Sequence, residues 1–501
     1  MVLSKKNKKT LVINKIGFWV GLIGLTVLFL RIPGLLEPHR YADEEIYLTL
    51  GQGLRKGLVF YKDIHDNKPP LIYLVAALAG NVFWFRFILL IWHGFTLIAF
   101  WKLVQALLKP VKIWLTSLIT FVLAILTTIP FFEGNIANGE IFMIGPAILG
   151  AYLIWQNRQQ GKVKPFLLAG FLFSLAFLFK VPIFFDLAGI GLFLLFYRQV
   201  SLKKKLRNFF SPELLALLLG FAIPILASIG YYSLHGAFEP YVKAALLQNI
   251  NYLSSWETGT AVSSAPIWSG GLFQRGIILI LLTSVLLVFK KRLSHASLLV
   301  SLWFIFSLFG ALLSARPYPH YFLQSIVPLS LMLGVFFKEK LFGKISLFLL
   351  FLLLPLAFWH YQFWYYQNLP YYQNFLEYVS KHKSKTEYFA FFDKGVNRNY
   401  QVADYVLKHS LPEEKIFVWG TEPAIYALSN RLPVGRYTVS YHIADFNAWQ
   451  ETIKALEKEK PSIIISLRNE AKSFLELESF LDLYYTPAQI IEEAVIYQRL
   501  Y

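Results

Sequence analysis

Residues 41–70, YADEEIYLTLGQGLRKGLVFYKDIHDNKPP, decide the fold because they follow closely on an apolar segment at residues 16–32. The run KKNKK precedes that segment, and the cytoplasmic flanks of membrane helices carry an excess of lysine and arginine. We therefore expect Asp43, Glu44 and Glu45 to emerge on the outer face of the membrane. A loop rich in Asp, Glu, Tyr, His and Lys at that surface predicts an enzyme that works from outside.

The composition restricts the class of protein. Hydrophobic residues make up 56% of the 501 residues and aromatic residues 17%, which is too much for an ordinary soluble protein. The chain has no cysteine, which excludes disulfides, thiolate metal sites and a thiol nucleophile. The net charge of +18 lies in short basic clusters between apolar runs, a distribution that indicates membrane loops and no nucleic-acid partner. No small-residue cleavage site follows the first segment, so we expect an uncleaved signal anchor.

The apolar runs predict about eleven transmembrane helices in the plasma membrane, since a crossing of about 30 Å takes about 20 helical residues. Basic clusters fall at every second junction and would be cytoplasmic, as would the N-terminus. The residues after 362 would then lie outside. The runs are 16–32, 84–108, 113–131, 140–156, 166–179, 182–197, 213–233, 276–289, 296–314, 321–337 and 343–362. The clusters are at 109–112, 158–164, 198–207, 290–292 and 338–344.

The C-terminal part has a different residue pattern, because charged and apolar residues alternate from about residue 371. Short β-rich runs and helical patterns follow one another there, which predicts a small α/β domain. The sequence contains neither GxGxxG after a strand nor a Walker A motif, so nucleotide binding has no support. We expect a polytopic α-helical domain at 1–362, with external loops at 33–83 and 233–275, and an extracytoplasmic α/β domain at 363–501. The expected strands are 415–419, 462–466 and 494–498, and the expected helices are 400–409, 423–429, 447–458 and 471–483.

The polar residues of the predicted outer loops suggest a chemistry. Carboxylates can act as general bases or orient sugar hydroxyls. Lysine and arginine at the membrane boundary can hold a phosphate whose lipid tail lies in the bilayer. A sugar linked to polyprenyl phosphate would need both groups together. These residues are Asp43, Glu44, Lys62, Asp63, His65, Asp66, Lys68, Glu133, Glu140, Lys180, Asp186, Arg316 and His320.

The run DEEIYLTLGQGLRKGLVFYKDIHDNKPPLIYL resembles the first external loop of bacterial GT-C glycosyltransferases. These are the family 39 group, related to protein O-mannosyltransferases and to the lipid A aminoarabinose transferase. Four further segments resemble the same family in the same order, namely FFEGNIANGEIFM, LAFLFKVPIFFD, ARPYPHYFLQSIVP and IFVWGTEPAIYALSNRLPVGRY. The resemblance implies a GT-C fold and inverting transfer of a sugar from a polyprenyl-phosphate donor to an envelope acceptor, which is a protein, a lipid or a glycan.

The resemblance also implies roles for individual residues. Asp43 matches the catalytic carboxylate, a general base that takes the proton of the acceptor hydroxyl, and Glu44 completes the pair. Glu133 or Glu140 would be the second acidic position, and Lys68 matches the lysine that contacts the lipid phosphate. Further phosphate contacts are expected from Lys180, Arg316, His320 and Tyr321. Contacts with the acceptor or sugar are expected from Tyr61, Asp63 and Glu140.

The loop departs from the aminoarabinose transferases at two positions. Ile46 stands where that group has arginine, and Asn67 stands where it has glutamate. The sequence therefore supports neither an aminoarabinose donor nor a metal at this loop, and no cofactor is expected.

Structural readings compete with these roles. Asp43 and Glu44 could form the first turn of an interfacial helix, where the helix dipole favours acidic residues. Glu133 and Glu140 could terminate helices, and Asp63 could cap the turn before Lys-Pro-Pro.

Two other function classes also fit a polytopic chain. A transporter or flippase would gather charged residues near the midplane, in broken helices of two repeated halves. Here the polar residues collect in the outer loops, and the sequence has no visible internal repeat. An oligosaccharide ligase or polymerase shares the outer-face layout but would not predict the Asp-Glu and Lys-Pro-Pro pattern. The sequence therefore favours the transferase.

The topology gives a first testable prediction. The loops carrying Asp43, Glu133, Lys180 and His320 should open on the same side as the residues after 362. The short run at 166–197 decides this, because a single crossing there would invert every later loop and turn two basic clusters outward, against the charge bias. Alkaline phosphatase fused to the C-terminus should be active, and green fluorescent protein fused there should be dark. A cytoplasmic C-terminus would contradict the topology.

Overall fold

The computed structural model describes residues 5–197, 211–248 and 271–500, with side chains from residue 16 onward. The predicted basic cluster at 198–207 and residues 249–270 of the predicted external loop lie outside the described residues. Within the described ranges the chain is mainly helical, with one small sheet near the C-terminus.

The predicted transmembrane runs all coincide with helices. Seven helices in the described residues are long and apolar enough to cross a membrane, and four shorter ones are equally apolar. The class is therefore a multi-pass α-helical membrane protein, as predicted, while the number of crossings stays a prediction. The long ones are Ile16–Leu36, Val82–Leu107, Gly139–Asn157, Pro212–Leu234, Gly271–Val288, Pro319–Phe336 and Leu341–His360. The short ones are Ile113–Leu126, Val163–Phe179, Ile183–Phe196 and His295–Ala311.

The chain divides into two compact units. The first takes in the described parts of Met1–Ile32, Leu89–Ser228 and Gln248–Asn368. The second takes in Pro33–Ile88, Ile229–Leu247 and Leu369–Tyr501 up to residue 500. The structure thus groups the first predicted external loop with the C-terminal residues, whereas the sequence analysis assigned it to the membrane domain. The domain boundary at residue 362 stays a prediction.

The first unit contains most of the apolar helices. In chain order these are α5 (Ile113–Leu126), α6 (Gly139–Asn157), α7 (Val163–Phe179), α8 (Ile183–Phe196), α9 (Pro212–Leu234), α11 (Gly271–Val288), α12 (His295–Ala311), α13 (Leu323–Phe336), α14 (Leu341–Phe351) and α15 (Leu353–His360). Helices α12 and α13 are buried on nearly all sides, which suits sequences whose apolar residues are spread around the whole helix. Helices α9 and α11 leave rows of leucine and isoleucine exposed, as contact with lipid requires.

Two glycines allow a close crossing of α7 and α9 in this unit. A Cβ atom at Gly170 of α7 would collide with the backbone carbonyl oxygen of Leu217 in α9. A Cβ atom at Gly220 would collide in the same way with Leu167 of α7. Small residues at such positions let helix backbones approach each other where lipid provides no hydrophobic driving force between them.

The second unit begins with the end of α1 (Lys5–Leu36), followed by α2 (Ala42–Arg55), α3 (Leu71–Ala79) and the start of α4 (Val82–Leu107). Helices α2 and α3 pack tightly, since a Cβ atom at Gly51 would lie 2.6 Å from the backbone nitrogen of Ala77. The short helix α10 (Phe238–Tyr241) adds an aromatic cluster, in which the rings of Tyr232 and Tyr241 lie 5.0 and 5.1 Å from that of Tyr61. The described start of the second predicted external loop thus packs on the first predicted external loop.

The C-terminal residues form an α/β fold around a four-stranded sheet. Its helices are α16 (Asn368–Val379), α17 (Lys385–Ala390), α18 (Gly395–His409), α19 (Ala424–Ser429), α20 (Ser440–Asp445), α21 (Trp449–Glu459) and α22 (Leu475–Tyr484). Its strands are β1 (Phe417–Trp419), β2 (Ile463–Leu467), β3 (Tyr485–Ile491) and β4 (Ala494–Arg499), in the order β1-β2-β4-β3. Strands β1 and β2 are parallel, and β4 runs antiparallel to both β2 and β3.

The sheet is covered on both faces, and this arrangement creates the core. Helices α18 and α19 pack Val402, Val406 and Ile425 on one face. Helices α21 and α22 pack Leu456 and Phe480 on the other. The predicted α/β character of this part is confirmed, and the three predicted strands coincide with β1, β2 and β4.

Strand β3 is absent from the sequence prediction. It lies at the edge of the sheet, its five central residues are exposed, and it contains Pro487. Exposed edge strands lack the apolar alternation that marks a half-buried strand, and proline is tolerated there because no ladder hydrogen bond is needed on the solvent side.

The glycine crossing predicts a stability effect. Gly170→Ala should lower the free energy of unfolding by about 1–3 kcal/mol, since the added methyl group pushes two helix backbones apart. Thermal unfolding of the purified protein in detergent would measure this. Gly191→Ala in α8 is the matched control, because a Cβ atom there meets nothing within 4 Å. Equal melting temperatures for the two variants would refute a tight crossing at Gly170.

Candidate active site

Helix α2 begins with three consecutive carboxylates, Asp43, Glu44 and Glu45, in its first turn. The partial positive charge at a helix N-terminus stabilises acidic side chains at these positions. Only Asp43 remains accessible, with 27% of its side chain exposed, whereas Glu44 and Glu45 are completely buried. Among the three, Asp43 is therefore the carboxylate that a substrate can reach.

Glu44 forms a buried ion pair with Arg86 at the start of α4. The arginine Nη2 and Nε atoms lie 2.5 and 3.1 Å from its two carboxylate oxygens. The same guanidinium donates to the backbone carbonyl of Gly34, 2.8 Å away, and lies 3.7 Å from Glu37. The structure therefore places Glu44 in the scaffold that fixes α2. Its predicted catalytic role stays a prediction.

Lys68 connects the KPP turn to the start of α2. Its Nζ atom lies 3.3 Å from Asp43 Oδ2, 3.8 Å from Asp66 Oδ2 and 5.0 Å from the centre of the Tyr47 ring. Tyr47 also donates a hydrogen bond of 3.2 Å to Asp43. The structure thus brings together Asp43 and Lys68, the two residues that the sequence marked most strongly.

Asp66 is the fixed centre of this network. It accepts hydrogen bonds of 2.6 Å each from the Tyr73 hydroxyl and the backbone N–H of Asn67, and His442 Nε2 lies 3.6 Å away. Burial alone would raise the pKa of Asp66. The electrostatic effects of Lys68 and His442, together with these two hydrogen bonds, outweigh burial and hold that pKa at about 2. Asp66 is therefore ionised at neutral pH and keeps Lys68 in place.

Tyr61 and Asp63 support the loop. Tyr61 is completely buried and donates a 2.7 Å hydrogen bond to the backbone carbonyl of Lys68. Asp63 is exposed and accepts a 2.8 Å hydrogen bond from the backbone N–H of Val59. Both positions fit a role in shaping the turn that carries Lys68, and the predicted contacts with acceptor or sugar stay predictions.

The first unit holds a second polar network, built from the other predicted residues. Glu133 hydrogen-bonds to Nδ1 of His320, whose Nε2 lies 3.7 Å from Glu140. Lys180 Nζ lies 2.9 Å from Glu140 and 5.4 Å from the centre of the Tyr321 ring. Five predicted residues from three separate segments of the sequence therefore meet, and two carboxylates here face one lysine and one histidine.

Local backbone geometry explains how this network forms. Glu133 follows a 3-10 turn with a left-handed φ of 55°, which turns its side chain back toward the unit. The Asn138 side chain caps α6 by accepting a hydrogen bond from the backbone N–H of Ile141. Gly139 lets the start of α6 approach the end of α7, since a Cβ atom there would lie 2.9 Å from the carbonyl oxygen of Phe179. This approach sets Glu140 beside Lys180.

Arg316 is half-buried in the same unit, directly after Ala315, whose φ is 54°. Asp186 of α8 lies apart from the Glu140 network in a buried hydrogen-bond group. It accepts from Trp303 Nε1 at 2.7 Å and from Gln324 Nε2 at 3.4 Å. No group of three or more metal-ligating side chains suited to a metal ion occurs in the described ranges.

Sequence reasoning missed several members of these networks. Arg86 had a usable signal, because a single arginine in the run VFWFRFILL must find a partner when its helix is buried in a membrane. Tyr47 belongs to the loop pattern that carries the family resemblance but had no assigned role, and nothing singled out Tyr73 beyond the abundance of tyrosine in the loop. His442 lies 376 positions after Asp66 in the sequence, and a single sequence does not show that two such distant residues are in contact.

Comparison with known proteins supports the fold. No family model matches the sequence, and no curated protein matches it significantly. ArnT from Cupriavidus metallidurans, solved bound to undecaprenyl phosphate, superposes with a TM-score of 0.57 at 11% identity, over 96% of this chain and 97% of ArnT. The apo structure of the same ArnT superposes with a TM-score of 0.52 at 11% identity, over 96% of this chain and 98% of ArnT. The archaeal oligosaccharyltransferase AglB from Archaeoglobus fulgidus was solved in complex with an inhibitory peptide and a dolichol-phosphate. It superposes with a TM-score of 0.49 at 14% identity, over 90% of this chain and 69% of AglB.

The chain therefore has the fold of ArnT, a GT-C glycosyltransferase, over nearly its whole length. The resemblance to this group that the loop sequence indicated is confirmed at the level of the fold.

Asp66 gives a prediction on acid stability. Its pKa falls from 3.8 to about 2 on folding, so its ionised form stabilises the protein above about pH 4, and this contribution disappears as the pH falls through about 2. Asp66→Asn should lower the free energy of unfolding by about 2 kcal/mol at pH 7 and by progressively less in acid. Denaturant unfolding from pH 7 down to pH 2 would measure this difference.

Asp404→Asn serves as the control, because Asp404 forms an exposed pair with Lys408 and such pairs contribute little. A stability difference for Asp66→Asn that does not change with pH would contradict the assigned charge.

Proposed function

We propose that this protein is an inverting membrane glycosyltransferase, which moves a sugar from a polyprenyl-phosphate donor to an envelope acceptor on the extracytoplasmic face. The observation that carries the proposal is the ion pair of 3.3 Å between Asp43, the one accessible carboxylate at the start of α2, and Lys68. The fold supports it, because ArnT, which shares that fold, was solved with undecaprenyl phosphate bound.

The pair contains the two functions that the reaction needs. Asp43 accepts the proton of the acceptor hydroxyl, and the hydroxyl oxygen then attacks the anomeric carbon of the sugar. The bond between that carbon and the phosphate oxygen breaks, and polyprenyl phosphate leaves with the electron pair. Attack on the face opposite to the leaving group inverts the anomeric centre, and no covalent enzyme intermediate forms.

Lys68 stabilises the leaving group and regulates the base. A lysine ammonium binds phosphate as a compact charge, and the negative charge on the phosphate grows as the bond to the sugar breaks. When Lys68 turns toward a bound phosphate, its pair with Asp43 opens and the carboxylate is released to accept a proton. Asp66 keeps Lys68 within reach of both positions, because its oxygen lies 3.8 Å from the ammonium.

The network around Glu140 supplies further candidates for the phosphate. Lys180 and His320 are its two cationic or potentially cationic groups, and Tyr321 supports Lys180 through its ring. We assign Lys180, Arg316 and His320 to phosphate contacts, with Glu133 and Glu140 orienting His320 and Lys180. Each assignment is testable on its own.

The role of Asp43 is tested by Asp43→Asn, which keeps the size of the side chain and removes its basicity. Turnover should fall at least about 100-fold, the usual contribution of a positioned base, while binding of undecaprenyl phosphate should persist. Asp404→Asn controls for a general loss of negative charge. Transfer would be measured with purified protein and a lipid-linked sugar donor. Mass spectrometry of envelope glycans from cells with and without the gene would first identify the sugar and the acceptor. Near-normal transfer by Asp43→Asn would remove Asp43 from the role of base.

The phosphate contacts are tested by Lys68→Ala, Lys180→Ala and Arg316→Ala. Each should weaken binding of undecaprenyl phosphate by roughly 1.5–3 kcal/mol, the range for a lost hydrogen bond to a charged group. Calorimetric titration of the detergent-solubilised protein would measure this. Lys408→Ala, which removes an exposed lysine of α18, should bind as the wild type does. Unchanged binding by any of the three variants would exclude that residue from phosphate binding.

A further inference from the structure

Helix α16, the first helix of the C-terminal α/β segment, carries an apolar stripe on its exposed side. Leu369, Tyr372, Leu376 and Val379 follow one another at spacings of three and four residues, so they share one side of the helix. Leu369 is 68% exposed, Leu376 60% and Val379 48%. Contiguous exposed apolar residues of this kind mark a surface that contacts a protein or a membrane.

The buried side of α16 is fixed close to the ends of two membrane helices. The Tyr371 hydroxyl donates a hydrogen bond to the carboxylate of Glu37. Glu37 directly follows the apolar helix Ile16–Leu36. Arg86, about one turn after the start of α4, lies 3.7 Å from the same carboxylate. The hydroxyl of Tyr371 therefore lies where α1 ends and α4 begins, which is the level of a membrane surface.

The chain that leads into α16 also has the composition of a membrane surface. Residues 361–367 connect the apolar helix Leu341–His360 to the start of α16. Trp364, Tyr365 and Tyr366 follow one another in this connection, and all three are exposed. Tryptophan and tyrosine gather at membrane–water interfaces, because one part of the ring is apolar and the other forms hydrogen bonds. The apolar stripe of α16 thus continues a sequence that is typical of the interface.

A lipid bilayer also fits the polar residues of α16. Gln373 and Glu377 lie beside the apolar stripe on the same exposed side, and Glu377 pairs with Lys383 at 2.7 Å. A helix that lies in an interface needs such a division, because one flank faces acyl chains while the other faces water and headgroups. Lys381 and Lys385 follow the helix and are exposed, so their charges can attract lipid phosphates.

We propose that α16 lies in the surface of the bilayer that the apolar helices cross, with Leu369, Leu376 and Val379 inserted among the lipid acyl chains. The partner of this surface is lipid, and the proposal is independent of the proposed transferase activity. Lipid contact on one side and the bond from Tyr371 to Glu37 on the other hold α16 at a fixed depth. The start of the C-terminal α/β segment is then anchored to the membrane surface.

The test measures the depth of α16 in the full chain, reconstituted into vesicles of phosphatidylethanolamine and phosphatidylglycerol. The chain has no cysteine, so Leu376→Cys introduces a single site for a nitroxide spin label. Collision rates of the label with oxygen and with a water-soluble nickel chelate, measured by electron paramagnetic resonance, give its depth. The label at position 376 should lie about 5–10 Å below the lipid phosphates, the usual depth of an interfacial helix. Val379→Cys labels the same stripe and should give a similar depth.

Gln373→Cys is the matched control, because Gln373 is exposed on the polar flank of the same helix. Its label should lie at the level of the phosphates or in water. Ile278→Cys, at an exposed position of the membrane helix α11, calibrates the deep end of the scale. Equal depths at positions 376 and 373, or full access of the nickel chelate to position 376, would overturn the proposal. Dipolar broadening between labels at position 376 that persists on dilution with lipid would also overturn it, since a second copy would then cover the stripe.

Discussion

The buried ion pair between Glu44 and Arg86 is the constraint on which the candidate active site depends. Two ions removed from water are tolerated only when they satisfy each other, and breaking one such pair destabilises a protein by about 3–5 kcal/mol. Arg86 also ties down the chain before α2 through the carbonyl of Gly34. The first turn of α2 is therefore held at a fixed position and rotation, and this rotation leaves Asp43 accessible.

Three adjacent carboxylates thus have three different environments, although their sequence is simply Asp-Glu-Glu. Glu44 is neutralised by arginine, Glu45 is half-satisfied by His39, and Asp43 faces Lys68 with part of its side chain exposed. The helical rotation of about 100° per residue produces this difference. One short turn can therefore combine a structural anchor, a buried carboxylate paired with a histidine and a candidate base, and residue type alone does not separate these environments.

The sequence predicts the membrane helices well because long apolar runs and basic flanks are direct consequences of the lipid environment. It also singles out Asp43 and Lys68, through the pattern of the first loop, but it does not predict that they form an ion pair. It does not predict His442 beside Asp66, because that contact depends on the folding of a distant α/β segment. It does not separate Glu44 from Asp43 either, since their difference arises from Arg86. A lone arginine in an apolar run signals that it needs a partner, but which residue that partner is depends on the folded chain.

The contact between His442 and Asp66 bears on how this chain can be recombined with others of the same fold. The C-terminal α/β segment resembles a detachable module, yet one of its side chains completes the polar surroundings of Lys68 in the first loop. Exchanging this segment between related proteins would exchange part of the electrostatic environment of the loop with it. Chimaeras joined at the end of the membrane helices therefore need the first loop and the C-terminal segment from the same parent.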